Sequence, residues 1–105
     1  MLFRSQVLDK NSCDFHEGAV WTTDAIYRET RREVLAHQQK GILAVEMEIS
    51  ALYAVALYRR VDLAGILVVS DELSSSNWRP GFTHKRFGQS RKTVCRLVKE
   101  LLGSL

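Results

Sequence analysis

The feature that most constrains the fold of this chain is a short apolar strand that runs directly into an apolar helix. Residues 42–46 predict the strand, and residues 47–60 are good helix formers, apolar on nearly every side, which predicts a buried helix. Two carboxylates, Glu46 and Glu48, lie at the junction. Because a buried carboxylate is costly unless it is paired or hydrogen-bonded, the junction is a candidate functional site.

A second apolar run repeats this arrangement further along the chain. Residues 65–69 are apolar, which predicts a strand at about 64–70, and Ser70 and Asp71 follow the run. Two consecutive strands therefore each deliver an acid at their carboxyl end. In open α/β sheets, ligands bind at that edge.

The order of predicted elements along the chain indicates an α/β fold. Continuous apolar strands are typical of sheets that are covered on both faces, and three strands supply few neighbours for one another. Alternation of helices and strands predicts a few-stranded central sheet flanked by helices. The predicted helices are 2–9, 28–40, 47–60 and one that Ser90 caps near the C-terminus; the predicted strands are 18–23, 42–46 and 64–70.

Length and composition predict one soluble domain over residues 1–105. The longest apolar run, 49–58, is too short to span a bilayer, and Ser50 interrupts it. The N-terminus lacks the basic-then-apolar pattern of a secretory signal. We therefore expect no membrane partner and a cytoplasmic location.

The two cysteines and three histidines predict no metal site. Cys13 and Cys95 form no CxxC pair, and the histidines have no ligand spacing. Buried or idle thiols are the expected state of the cysteines. A disulfide, the alternative, would suit a secreted protein, and no other feature indicates secretion.

The net charge of +3 is unevenly distributed along the chain. Residues 1–78 carry 8 Lys/Arg and 11 Asp/Glu, whereas residues 79–105 carry 7 and 1. A basic tail can bind nucleic acid, but no nucleic-acid motif accompanies it. We expect the solvated face of an amphipathic helix, whose apolar stripe would be Val94, Leu97, Val98, Leu101 and Leu102.

The polar segment from Asp71 to about Phe87 is long for a compact domain. Segments of this kind usually have a function or are mobile. Trp78 and Phe82 are its large aromatic residues. They fit either a lid over a pocket or an anchor for the loop, and the sequence leaves both interpretations open.

Three segments together resemble the C-terminal half of the nucleoside phosphorylase family. These are residues 20–29 (VWTTDAIYRE), 45–48 (VEME) and 69–71 (VSD). The family includes purine nucleoside phosphorylases, uridine phosphorylases and nucleosidases. Two gaps, from Ile26 to Met47 and from Glu48 to Asp71, look like those of the purine-acting branch. The resemblance implies an incomplete phosphorylase/hydrolase-like three-layer α/β fold.

The resemblance also implies an activity, cleavage of the N-glycosidic bond of purine nucleosides with phosphate as acceptor. On the sugar side, Glu48 matches the acid that hydrogen-bonds the ribose hydroxyls, and Met47 matches the residue that packs against the sugar. Glu46 matches a nearby acid with a lesser role. Taken alone, Glu48 could instead be a carboxylate that interacts with a helix dipole, and Met47 could be a core residue.

On the base side, the resemblance assigns Asp71 as the acid that protonates the leaving purine, with Ser70 beside it. Ile26 falls where the family often has an aromatic residue that lines the base pocket. Taken alone, Asp71 could instead be a helix N-cap or a turn residue. The chemistry suits both acids, because a carboxylate stabilises the oxocarbenium-like sugar and a carboxylic acid donates to the base.

The resemblance implies that part of the family domain is missing. The family's phosphate-binding glycine and arginines lie in its N-terminal half, and Met1 falls well inside the family pattern. We therefore expect a half-protein that uses no cofactor, whose substrates would be a nucleoside and phosphate, and which is inactive alone. The alternatives are a non-catalytic, oligomerising remnant and a nucleosidase. In each case we expect a homo-oligomer.

Overall fold

The computed structural model describes residues 13–73 and 77–104, so the predicted helix at 2–9 lies outside the described residues. Contacts divide the chain into two compact units. The strand–helix unit is Glu17–Gly65, and the described residues of the hairpin–helix unit are 13–16, 66–73 and 77–104. A single domain over 1–105 stays a prediction.

A parallel strand pair organises the strand–helix unit. Strand β1 (Val20–Thr22) pairs with β2 (Ala44–Glu46), and helix α1 (Arg31–Gln39) connects them after a 3₁₀ turn at Ile26–Arg28. The register sets Val20 against Ala44, Trp21 against Val45 and Thr22 against Glu46. Parallel strands need a crossover of this kind, and the alternation of elements predicted it.

Helix α1 ends close to its predicted end at 40 but begins at Arg31, later than the predicted start at 28. The Thr30 hydroxyl accepts from the Glu33 amide at the N-terminus, and Gly41 takes φ +74° directly after the Lys40 C-cap. That left-handed conformation favours glycine. The Trp21 ring of β1 stacks on His37 of α1, with ring centroids 4.1 Å apart, which holds the helix against the strand.

Helix α2 (Ile49–Arg59) forms where predicted, but the prediction that it is buried is wrong for this chain. Of its described residues, Ala56 is buried, whereas Leu57 and Tyr58 are 78% and 83% exposed. Two short strands and one other helix offer too little surface to cover a helix that is apolar on several faces. Its other large exposed apolar residues are Leu52, Tyr53 and Val55.

The predicted strand at 64–70 does not form. Within the described residues, 61–70 have no regular secondary structure, and the strand β3 (Asp71–Glu72) begins only where the apolar run ends. It pairs antiparallel with β4 (Arg79–Pro80). An apolar run becomes a strand only when a neighbouring backbone accepts and donates along it, and here the pairing starts at the hairpin.

Helix α3 (Lys85–Gly103) ends the chain and begins earlier than predicted. Its N-cap is His84, whose Nδ1 accepts from the Arg86 amide at 3.2 Å, so Ser90 lies inside the helix. Leu97 of the predicted stripe is buried, while Val98 and Leu102 are exposed.

The described residues form the expected α/β fold, and none of their helices is long and apolar enough to cross a bilayer.

Candidate functional site

The junction between β2 and α2 is built around the carboxylate of Glu46. Its Oε2 accepts from the backbone amides of Glu48 at 2.7 Å and Ile49 at 2.6 Å. Its Oε1 accepts from the Thr22 hydroxyl, which β1 places opposite Glu46 in the register. The Thr22 oxygen in turn accepts from the Ser50 amide at 3.2 Å. Three amides at the start of α2, which no helical carbonyl reaches, are thus satisfied by two side chains.

This network leaves the side chain of Glu48 available. Glu48 is the N-cap of α2, but among the described residues its side chain makes no capping hydrogen bond, and it is exposed. Met47 beside it is 44% exposed. A carboxylate at a helix N-terminus is favoured by the helix dipole. The structure therefore presents an exposed carboxylate and an apolar side chain next to each other at a hydrogen-bonded junction.

The same hydrogen bonds change the acidity of Glu46. Desolvation raises the pKa of its carboxyl, but the hydrogen bonds from Thr22 and from the amides of Ile49 and Glu48 together hold it below its ordinary value of 4.5. A carboxyl whose pKa is lowered on folding stabilises the fold above its unfolded pKa. That contribution is lost as the pH falls through the lowered, folded pKa.

We expect Glu46→Gln to lower the free energy of unfolding by about 1–3 kcal/mol at pH 7, because it removes charge-assisted hydrogen bonds and sets an amide donor against other donors. Glu48→Gln is the matched control and should change stability by less than about 0.5 kcal/mol. Urea unfolding at pH 7 and pH 4 checks both. The Glu46→Gln deficit should shrink at pH 4, and equal effects of the two substitutions at pH 7 would contradict the capping role.

The hairpin holds the second candidate acid. Asp71 lies at the start of β3, not at a helix N-terminus, and is half-buried. Its Oδ1 accepts from the Ser70 hydroxyl at 2.6 Å, and its Oδ2 accepts from the Trp78 indole N–H at 2.7 Å. The Gly81 amide donates to the Ser70 carbonyl at 2.8 Å and secures the strand that faces Asp71. Two side chains and the hairpin backbone therefore fix the orientation of this carboxylate.

The structure divides the predicted site residues between the two units. It brings Glu46, Met47 and Glu48 together at the β2–α2 junction, and Ser70 and Asp71 together at the hairpin. Ile26 lies on the 3₁₀ turn of the strand–helix unit and is 72% exposed.

Two contributors, Thr22 and Trp78, were not among the predicted site residues. Thr22 matters because the parallel register puts it opposite Glu46, and that register is visible only once the strands are paired. Trp78 had the weaker signal of being a large aromatic residue in a polar segment.

Two other features of the described residues are separate from these acids. A shallow depression along α1 is lined by Arg31, Arg32, Leu35, Ala36 and Gln39, and so by none of the predicted site residues. Within residues 13–73 and 77–104, no group of three or more His, Cys, Asp and Glu side chains is placed to hold a metal ion.

The chain is similar to proteins of a known family over nearly its whole length. Residues 3–103 match the family model of the phosphorylase superfamily. The chain is 48% identical over 65 residues to the DeoD-type purine nucleoside phosphorylase of Mycoplasma genitalium, an alignment that covers 61% of this chain and 27% of that protein. No solved structure matches.

Two further relatives carry the same description. The identity is 47% over 60 residues with the Mycoplasma pneumoniae protein (56% of this chain, 25% of that protein). With a Bacillus cereus protein it is 43% over 56 residues (53% and 24%). Both are DeoD-type purine nucleoside phosphorylases. The matched part of the chain spans about a quarter of the length of these curated relatives.

Proposed function

Because the chain belongs to the phosphorylase superfamily, we propose that it carries the ribose- and base-binding residues of a purine nucleoside phosphorylase. The names of its relatives support the purine class. The observation that carries the proposal is that Glu46 and Glu48 have different hydrogen-bonding roles at the β2–α2 junction. Glu46 satisfies the helix amides, so the exposed carboxylate of Glu48 is free to bind a ligand.

On the sugar side, Glu48 accepts hydrogen bonds from the ribose hydroxyls, and Met47 packs against the sugar. The role of Glu46 in this proposal is indirect. Both of its oxygens are engaged by Thr22 and by backbone amides, so it positions Glu48 through the start of α2. Ile26 offers the base an apolar contact without a ring.

On the base side, Asp71 delivers the proton to the departing purine, and Ser70 orients it through the 2.6 Å hydrogen bond to Oδ1. In the reaction, an oxygen of phosphate forms a bond to C1′ of the ribose while the bond from C1′ to the purine nitrogen breaks. The bonding pair goes to the purine, which takes up the proton. Glu48 stabilises the positive charge that develops on the sugar.

Phosphate is a substrate of the proposed reaction, and the reaction uses no cofactor. The cytoplasmic location expected from the sequence is likewise part of the proposal.

One observation favours a second candidate, a non-catalytic module that acts through self-association. Helix α2 exposes several large apolar side chains, as a helix that packs against a partner does.

We expect the isolated chain to show no measurable phosphorolysis, because the resemblance assigns phosphate binding to a part of the family domain that this chain does not match. Stabilisation of charge on the reacting groups is usually a large catalytic term. The test is to incubate purified chain with adenosine, inosine and uridine in phosphate buffer and follow free base. A kcat within about a hundredfold of ordinary enzyme values, about 1–10³ per second, would show that this chain is self-sufficient.

A further inference from the structure

The hairpin suggests a residue that contacts the purine directly. We propose that Trp78 forms the wall of the base-binding site: its indole N–H fixes the Asp71 carboxylate, and its exposed ring stacks on the base. This inference rests on the proposed function, since it assumes that a purine meets Asp71. It adds a binding and positioning residue that the resemblance does not supply.

The hydrogen bond from Trp78 to Asp71 determines where the ring lies. The indole nitrogen is 2.7 Å from Oδ2 of Asp71, across the β3–β4 hairpin. The ring is thus held beside the carboxylate by a polar contact and is not simply a loop side chain lying on the surface. In this proposal, a purine that hydrogen-bonds Asp71 therefore lies next to the indole ring.

Trp78 nevertheless leaves much of its ring uncovered. It is 56% exposed, although its N–H has a partner. Its aromatic neighbour, Phe82, meets it at 53° with centroids 6.4 Å apart, so the two rings are tilted and not stacked. A large exposed aromatic ring is costly to leave in water, and a nucleobase is a flat partner that would cover it.

Asp71 keeps hydrogen-bonding capacity for a base as well. A carboxyl group has about four lone-pair sites, one of which holds the proton that Asp71 delivers in the proposed function. Ser70 and Trp78 use one on each oxygen, and the side chain is only half-buried. The pair therefore offers a purine two different contacts, one with its edge through the carboxylate and one with its face through the indole. Ribose, which has no aromatic face, would gain nothing from Trp78.

Fluorescence gives a direct test, because the chain has two tryptophans. In a Trp21→Phe background, excited at a wavelength that the three tyrosines do not absorb, the emission of the chain reports Trp78 alone. We expect adenosine and free adenine to quench this emission in a saturable way and ribose to leave it unchanged. A merely structural tryptophan would not distinguish base from sugar.

Affinity for adenosine, measured by equilibrium dialysis, gives a second readout. Trp78→Ala should weaken binding by about tenfold, the scale of one base–aromatic stack. Trp78→Phe keeps a ring and should lose less, so it also serves if the alanine variant unfolds. Phe82→Ala is the matched control, because Phe82 is also 56% exposed but makes no hydrogen bond to Asp71. It should bind within about twofold of the unsubstituted chain.

The possible outcomes separate this inference from the function on which it rests. If the unsubstituted chain binds adenosine and Trp78→Ala binds it equally well, the role of Trp78 is wrong while the proposed function stands. If ribose quenches Trp78 as adenine does, the stacking contact is wrong. If the unsubstituted chain binds no adenosine at all, both the proposed function and the role of Trp78 are overturned.

Discussion

Replacing Glu48 or Asp71 with alanine should lower phosphorolysis by at least about a hundredfold in a protein that has the full length of the family domain. Each substitution removes a group that acts on charge in the transition state, on the sugar for Glu48 and on the departing base for Asp71. Such groups contribute about 10²–10⁴-fold to rates. The fold should survive the Glu48 substitution, because Glu48 is exposed and makes no capping hydrogen bond among the described residues. Asp71→Ala also removes the acceptor of two side-chain hydrogen bonds, so the stability of that variant is measured alongside its activity.

A chimera provides that protein. Residues 3–103, the range that the family model matches, would replace the corresponding part of the Mycoplasma genitalium enzyme. The measurement is kcat/KM for adenosine with phosphate present, alongside a thermal melt of each variant. Matched controls are Asp62→Ala, an exposed carboxylate of the strand–helix unit, and Glu72→Ala, which follows Asp71 in β3 and pairs with Arg79.

The control variants should retain activity within a few-fold. Full activity of a folded Glu48→Ala or Asp71→Ala chimera would show that the roles carried over from the resemblance are wrong. Unfolding of either variant at ordinary temperature would instead support a structural role for that carboxylate.

The second large effect concerns assembly: we expect the chain to be an oligomer at micromolar concentration, formed by copies of itself. Helix α2 exposes Leu52, Val55, Leu57 and Tyr58 although it is apolar on several faces. Both outer edges of the β1–β2 pair lack a strand partner among the described residues. Packing against a second copy would cover these surfaces, with about 2,000 Å² or more buried in total.

Light scattering on the purified chain measures the mass. Val55→Asp places a charge on the exposed apolar surface of α2, so it should shift the mass to that of a monomer. Lys92→Asp, an exposed position on α3, is the control and should leave the mass unchanged. If the unsubstituted chain is a monomer that resists unfolding, the exposed face of α2 has no role in self-association.

Local signals predicted some elements well. The glycine at position 41 marked the end of helix α1, but the side-chain cap at Thr30 was not predicted, and the helix begins at Arg31 and not at 28. The predicted strand at 64–70, by contrast, does not form. Its apolar composition is typical of a buried strand, but strand formation depends on a neighbouring backbone elsewhere in the chain, and composition does not reveal that neighbour.

The candidate site was likewise predicted only as far as local sequence allows. The sequence pointed to Glu46 and Glu48 because acids beside apolar elements are conspicuous. The resemblance gave Glu46 only a lesser role near the sugar, and the sequence did not reveal its capping role, which depends on Thr22 facing Glu46 across β1 and β2. The sequence also pointed to Asp71. Its hydrogen bond with the Trp78 indole, however, depends on a hairpin that brings together residues seven positions apart.

The most direct test of nucleoside binding is a titration of the ¹⁵N-labelled chain with adenosine, followed by amide chemical shifts. The account predicts saturable shifts at residues 46–50, where Glu48 would meet the ribose, and at residues 70–72, around Asp71. Inorganic phosphate alone should leave these amides unchanged. Shifts confined to the basic residues of α3, or no shifts at millimolar adenosine, would contradict the claim that this chain carries the ribose- and base-binding residues of a purine nucleoside phosphorylase.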